Sequence, residues 1–197
     1  MNIISFIIGI IGTLLSAYGA YLTVRSNQQT RKSKTIDWGQ MQTACKYICK
    51  QLKNNFIPDA IITPGQKGGI LAQLILDNLD LEIPIYTGFL ISKEKKSNEI
   101  LSENYILLET TKWNVFLPKS IEVSKDMKIL IVDDLVMSGD FLYKLQNRLI
   151  EYGYSKKNIQ SCSIATTTVA NATKKSPDYY WKIVDADDCY FPWGKAR

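Results

Sequence analysis

Histidine is absent from the 197 residues. Its absence removes the chemistries that need an imidazole: Ser-His-Asp and Cys-His nucleophilic catalysis, HExxH zinc proteolysis and histidine-containing zinc fingers. Cysteine is scarce and poorly spaced for metal. Cys45 and Cys49 are four apart and share a face if their segment is helical, but Cys162 and Cys189 stand 27 residues apart. The two close pairs of a structural zinc site are therefore missing, and buried free thiols are expected. No internal repeat and no low-complexity tract interrupts the chain. At 46% hydrophobic and 22% charged it can fill the core of one ordinary domain, which excludes wholesale disorder and collagen-like classes.

Charge is missing from residues 1–24 altogether, and Ile3 to Val24 is an uncharged stretch of 22 residues. At about 1.5 Å per residue a helix of that length spans roughly 30 Å of hydrocarbon, so a single transmembrane anchor is expected there. No basic residue precedes the stretch, as a signal peptide would require. Arg25, Arg31, Lys32 and Lys34 follow it. The positive-inside rule then predicts a single-pass protein of the inner membrane with its C-terminal domain in the cytoplasm, where disulfides do not persist. Those four residues carry most of the formal net charge of +5, leaving a nearly neutral domain with no strong sign of nucleic-acid binding. Ser5, Gly9, Thr13 and Ala17, with Gly12, Ser16 and Ala20 beside them, form two ridges of small side chains. Close helix approach through such ridges predicts a homo-oligomer in contact with membrane lipid.

The expected organisation is an anchor at 1–24, a basic juxtamembrane linker at 25–37 and a cytoplasmic domain at 38–197. In the last, Met41, Ala44, Cys45, Ile48, Cys49 and Leu52 repeat at helical spacing, predicting a helix from Trp38 to Leu52. Strands are expected at 60–63, 83–89, 105–108, 128–132 and 161–168, and helices at 69–78 and 141–151. Alternation of this kind predicts an α/β fold with a mainly parallel sheet flanked by helices, whose ligands lie beyond the carboxyl ends of the strands. The polar stretch from Ser92 to Asn104, rich in lysine, reads as a solvated loop or as a hairpin over the site.

The most informative segment runs from Lys128 to Asp140: an apolar strand, then Asp133 and Asp134, then a small-residue turn and a helix. Paired carboxylates at a strand end can accept hydrogen bonds from sugar hydroxyls or hold a divalent ion, and a helix N-terminus attracts phosphate. They can equally make a turn and an N-cap.

Ile129 to Gly139 resembles the phosphoribosyl pyrophosphate signature of type I phosphoribosyltransferases, and its Asp-Asp-Leu-Val followed by Ser-Gly is similar to the xanthine/guanine branch. Two further segments agree in order. Asp59 to Gly69 resembles the pyrophosphate loop of that family, and Pro177 to Tyr180 with Tyr190 to Trp193 resemble its closing part. The resemblance implies ribose contacts from Asp133 and Asp134. It also implies a 5′-phosphate loop of Leu135, Val136, Met137, Ser138, Gly139 and Asp140, and a pyrophosphate loop of Gln66, Lys67, Gly68 and Gly69. Magnesium would bridge pyrophosphate and ribose oxygens, touching the two aspartates only indirectly. Ala170, Asp188 and Tyr190 are the positions implied at the base.

The departures from the family pattern fall at the site. Asp140 and Phe141 stand where a phosphate-compatible residue and a threonine are usual, Ala170 where a lysine is usual, and Asp188 where an aromatic normally stacks on the base. Lys174 and Lys175 are the nearest cations that could replace that lysine, and Lys67 replaces an arginine fork with a point charge. The expected function is a membrane-anchored, catalytically divergent phosphoribosyltransferase-like protein. It would bind a nucleotide, phosphoribosyl pyrophosphate or a protein partner and act as a bacterial regulatory or antiphage-defence effector through its helix. The alternative is an active purine phosphoribosyltransferase.

Overall fold

The computed structural model describes residues 3–33, 35–93, 104–109, 113–123, 125–185 and 189–195, with the side chains of 3–10, 29–33 and 122–123 outside that description. The expected hairpin from Ser92 to Asn104 therefore lies almost entirely outside the described residues.

Helix α1 covers Ile3–Ser33. Residues 26–33, expected as linker, are helical. They contain neither glycine nor proline, so nothing in the sequence stops the helix where its apolar part ends. Among the described residues no helix is long and apolar enough to cross a membrane. The part of α1 whose side chains are described, residues 11–28, mixes Thr13, Ser16, Tyr18 and Tyr21 with its leucines and runs into Arg25. The expected transmembrane helix is thus not borne out on these residues, and its isoleucine-rich start lies outside them.

Helix α2, Trp38–Asn55, begins at a capping box. The Gln40 amide donates to Asp37 Oδ1 at 2.8 Å and the Asp37 amide donates to Gln40 Oε1 at 3.2 Å, satisfying two of the orphan donors of a helix start. The elements after it are β1 (Ala60–Thr63), α3 (Gln66–Leu79), β2 (Ile85–Thr87), β3 (Phe89–Ser92), β4 (Tyr105–Glu109), β5 (Trp113–Pro118), β6 (Ile129–Val136), α4 (Asp140–Glu151), β7 (Ile159–Thr167), α5 (Thr168–Ala172), β8 (Tyr179–Val184), β9 (Tyr190–Phe191) and β10 (Gly194–Lys195). Strands β2-β1-β6-β7-β8 form a parallel sheet, β3-β5-β4 an antiparallel one, and β9 with β10 a hairpin.

Alternation along the central strands feeds two cores. Ile61, Leu130 and Val132 pack with α2 and α3 on one face. Ala60, Ile62, Ile129 and Ile131 pack with α4 and the antiparallel sheet on the other. Burial on both faces is why these strands read as unbroken apolar runs. The single strand expected at 83–89 is two, divided at Gly88, where a Cβ would lie 2.7 Å from the Phe116 carbonyl oxygen and from a Leu117 methyl. The chain leaves the central sheet there because β5 passes too close for a side chain.

From β1 the chain steps to β2 on one side, whereas from β6 it steps to β7 and β8 on the other. The crevice between the carboxyl ends of β1 and β6 is therefore the topological switch point of the sheet, where an open α/β fold offers a ligand site.

Candidate functional site

Two loops meet at this crevice, one from β1 to α3 and one from β6 to α4. They line a cleft of about 800 Å³ together with Phe89, Leu90, Trp113 and Val115 of the antiparallel sheet. Of the residues expected at the site, Asp133, Asp134, Leu135, Val136, Met137, Ser138, Gly139 and Asp140 all reach the cleft, as do Gln66, Lys67 and Gly68. Gly69 does not line it and faces Thr87 instead. Ala170 is fully buried in the α4-side core, and Tyr190 lies on the hairpin, its carbonyl accepting the Ile36 amide at 2.7 Å. Neither belongs to the cleft lining. Asp188 lies outside the described residues.

Strand β6 extends four residues beyond its expected end because its pairing with β7 continues through Leu135 with Ala165 and Val136 with Thr166. The two carboxylates thus sit inside the strand, and its pleat turns them to opposite faces. Their environments differ sharply. Asp134, 5% exposed, accepts the Leu135 amide on Oδ1 at 2.9 Å and the Trp193 indole N–H on Oδ2 at 3.0 Å. Asp133 is half-buried and accepts the Asp134 amide on Oδ1 at 2.9 Å. Burial, and then the neighbouring Asp134 charge, push the Asp133 carboxyl well above the usual carboxylate range, opposed by the Asp134 amide and the Lys67 ammonium. Asp133 is thus the more exposed of the two carboxylates, while both Asp134 oxygens are engaged by the chain itself.

The β1–α3 loop owes its closeness to Gly68. A Cβ there would stand 2.5 Å from the Val132 carbonyl oxygen and 3.4 Å from Asp133 Cα, so only glycine lets the first turn of α3 lie against β6. At Gly65 a Cβ would fall 2.5 Å from a Leu90 methyl, the movable end of a side chain, so that position is less confined. Thr63 Oγ1, at the end of β1, is buried without a hydrogen-bond partner. Lys67 extends to the C-terminal hairpin and donates from Nζ to the Lys195 carbonyl at 2.7 Å.

The β6–α4 loop is pinned from the other side. Gly139 has φ +73°, and a Cβ would meet the Lys175 carbonyl oxygen at 2.1 Å. Thr167 donates its hydroxyl to the Met137 carbonyl. Asp140, which stands where the family pattern has a phosphate-compatible residue, is bound by Lys175 Nζ at 2.5 Å. That contact, with the Ser138 side chain, holds its carboxyl below the usual range. Lys175, considered as a replacement for the missing base-site lysine, is paired with Asp140 at the start of α4.

Sequence reasoning gave no role to Trp193 or to the antiparallel sheet. Trp193 was visible within the closing motif, but nothing in the sequence linked it to a carboxylate 59 residues away. It is fixed by stacking on Phe191 at 5.2 Å and by an edge contact with Trp38 at 6.1 Å. Among the described residues no group of three histidine, cysteine, aspartate or glutamate side chains is placed to hold a metal. The protein carboxylates that line the cleft are those of Asp133, Asp134 and Asp140.

Residues 36–196 match the family model of the phosphoribosyl transferase domain. No curated protein sequence matches the chain. Similar solved structures include a purine phosphoribosyltransferase from Pyrococcus horikoshii Ot3, at 20% identity and TM-score 0.59 over 83% of this chain and 97% of that one. The Helicobacter pylori xanthine-guanine-hypoxanthine phosphoribosyltransferase is 20% identical with TM-score 0.59 over 81% and 92%. A hypothetical protein from Neisseria gonorrhoeae with bound ppGpp is 19% identical with TM-score 0.57 over 81% and 89%.

Proposed function

Since the chain belongs to the phosphoribosyl transferase domain family, we propose that its cleft binds a phosphorylated ribose, either phosphoribosyl pyrophosphate or a purine nucleotide, and that its active site has diverged from efficient transfer. The observation that carries this reading is the meeting of the Lys67–Gly68 loop, Asp133 and the Gly139 turn at the switch point of the sheet. Asp133 accepts a ribose hydroxyl, the turn before α4 receives the 5′-phosphate with Lys175 beside it, and Lys67 neutralises the pyrophosphate. Magnesium, bound with the ligand beside Asp133, would supply further neutralisation of the phosphate charge. The ppGpp bound to the similar Neisseria protein supports a purine nucleotide as the ligand class.

Divergence is supported at the base position and in the pyrophosphate loop. Ala170 offers no functional group and is buried, and Lys67 is engaged by the hairpin. The alternative is an active purine phosphoribosyltransferase, favoured by the retained Asp133 and Gly139. Calorimetry with magnesium and phosphoribosyl pyrophosphate, and mass spectrometry for nucleotide after adding xanthine, guanine or hypoxanthine, separate the two. Binding without product is expected. Product from any base establishes the enzyme, and absence of binding removes both readings.

The membrane anchor, the cytoplasmic placement and the regulatory or antiphage role belong to the same proposal. They are supported by the uncharged run from Ile3 to Val24, the basic residues after it and the exposure of Leu14, Leu15, Tyr18 and Leu22 on α1. Such a face needs lipid or another copy of the helix to cover it. The full chain is expected to remain with membranes after an alkaline carbonate wash. Its release into the wash would remove the anchor and, with it, a defence role exerted through the helix.

A further inference from the structure

The C-terminal hairpin touches both halves of the site and the chain segment that leaves α1. Lys195 of β10 takes the Lys67 ammonium on its carbonyl at 2.7 Å, and Trp193 holds Asp134 at 3.0 Å. Tyr190 of β9 accepts the Ile36 amide at 2.7 Å and is bridged in parallel to Thr35. Ile36 is fully buried, and Trp38 rests edge-on against Trp193. The Lys67 ammonium reaches the cleft while donating to the Lys195 carbonyl, so an arriving polyphosphate competes with the hairpin for it.

We propose that the β9–β10 hairpin is an autoinhibitory strap: it competes with the polyphosphate for Lys67, and ligand binding loosens its hold on Ile36, the first buried residue after α1. The inference rests on the reading of Lys67 as a pyrophosphate ligand. Because coupling between two sites is reciprocal, anything that frees the hairpin tightens the ligand, and the ligand frees the hairpin. The strap thereby connects occupancy of the cleft to the end of α1.

Gly194 offers a way to open the hairpin without entering the cleft. Its φ of +119° is a conformation that side chains rarely adopt, yet a Cβ there would meet nothing within 4 Å. Gly194→Val therefore strains the turn alone. With magnesium and inorganic pyrophosphate as the probe, calorimetry on the full chain is expected to give a three- to tenfold tighter complex for Gly194→Val. In a Lys67→Met background the same change is expected to have no effect. Equal affinities with and without Gly194→Val would overturn the strap while leaving the ligand reading in place, whereas no pyrophosphate binding by either form overturns both. Hydrogen exchange on the unaltered chain gives a second readout that does not depend on a variant folding. The Ile36 amide is expected to exchange several-fold faster when pyrophosphate is bound, and unchanged exchange in the presence of demonstrated binding counts against the proposal.

Discussion

Gly68→Ala is expected to destabilise the protein by about 1–3 kcal/mol, the cost of forcing an extra methyl group into a packed interior. Gly69→Ala, one residue further along the same helix, should be neutral or stabilising. The contrast isolates packing from helix propensity. Alanine is the better helix former by roughly 0.5–1 kcal/mol at either position, so propensity alone predicts a gain twice. At Gly68 the new Cβ would stand 2.5 Å from the Val132 carbonyl oxygen and 3.2 Å from Thr63 Cβ. Val132 is held in the middle of the sheet by β1 and β7 and cannot retreat, so α3 must move outward and take Lys67 with it. At Gly69 the nearest atom is Thr87 Oγ1 at 3.6 Å, an ordinary contact. Thermal unfolding should show a fall of roughly 2–12 °C for Gly68→Ala, using about 2–4 °C per kcal/mol for a chain of this size. Pyrophosphate binding should weaken in the same variant and stay unchanged in Gly69→Ala. Equal melting temperatures for the two variants would mean that α3 is not seated on β6 as described.

The second large effect is expected at Asp133, where binding and stability pull in opposite directions. A hydrogen bond to a charged group contributes about 1.5–3 kcal/mol, so Asp133→Asn should weaken phosphoribosyl pyrophosphate binding by roughly 10- to 100-fold. Stability should change the other way. Burial and the adjacent Asp134 raise the carboxyl pKa in the folded state above its unfolded value, so the folded protein binds the proton more tightly than the unfolded chain does. Native stability from this group is then greatest below the unfolded pKa and falls as pH rises toward the folded one. Asparagine removes that loss. The variant should melt with the parent in acid and above it at neutral pH, the gap opening as pH rises through the usual carboxylate range and beyond. A gap that stays constant with pH would show that Asp133 is not desolvated in the fold. A ligand cation near Asp133 would favour the charged form and narrow the difference.

The pair Asp133 and Asp134 also shows where sequence reading stops. The family resemblance implies ribose contacts from both, and the sequence offers nothing to distinguish their surroundings. The pleat of β6 separates them, and an indole from the far end of the chain occupies one. Asp140 gives the same lesson. In the sequence it is a lone departure from the family pattern, and the fold pairs it with Lys175, 35 residues away.

What the sequence determined by itself was local and periodic. The helical repeat of Met41, Ala44, Cys45, Ile48, Cys49 and Leu52 marked a face that is buried throughout. The strand at Ala60–Thr63 appeared with its observed bounds, and the β6–turn–α4 segment was readable because backbone sterics and side-chain alternation act over a few residues. Tertiary structure decided which loops share a cleft, through the reversal of strand order between β1 and β6. It also decided which charges are free, through contacts such as Lys67 with Lys195 and Trp193 with Asp134. The physical reason is range: secondary structure follows from neighbours along the chain, whereas desolvation and charge pairing depend on groups that only packing brings together.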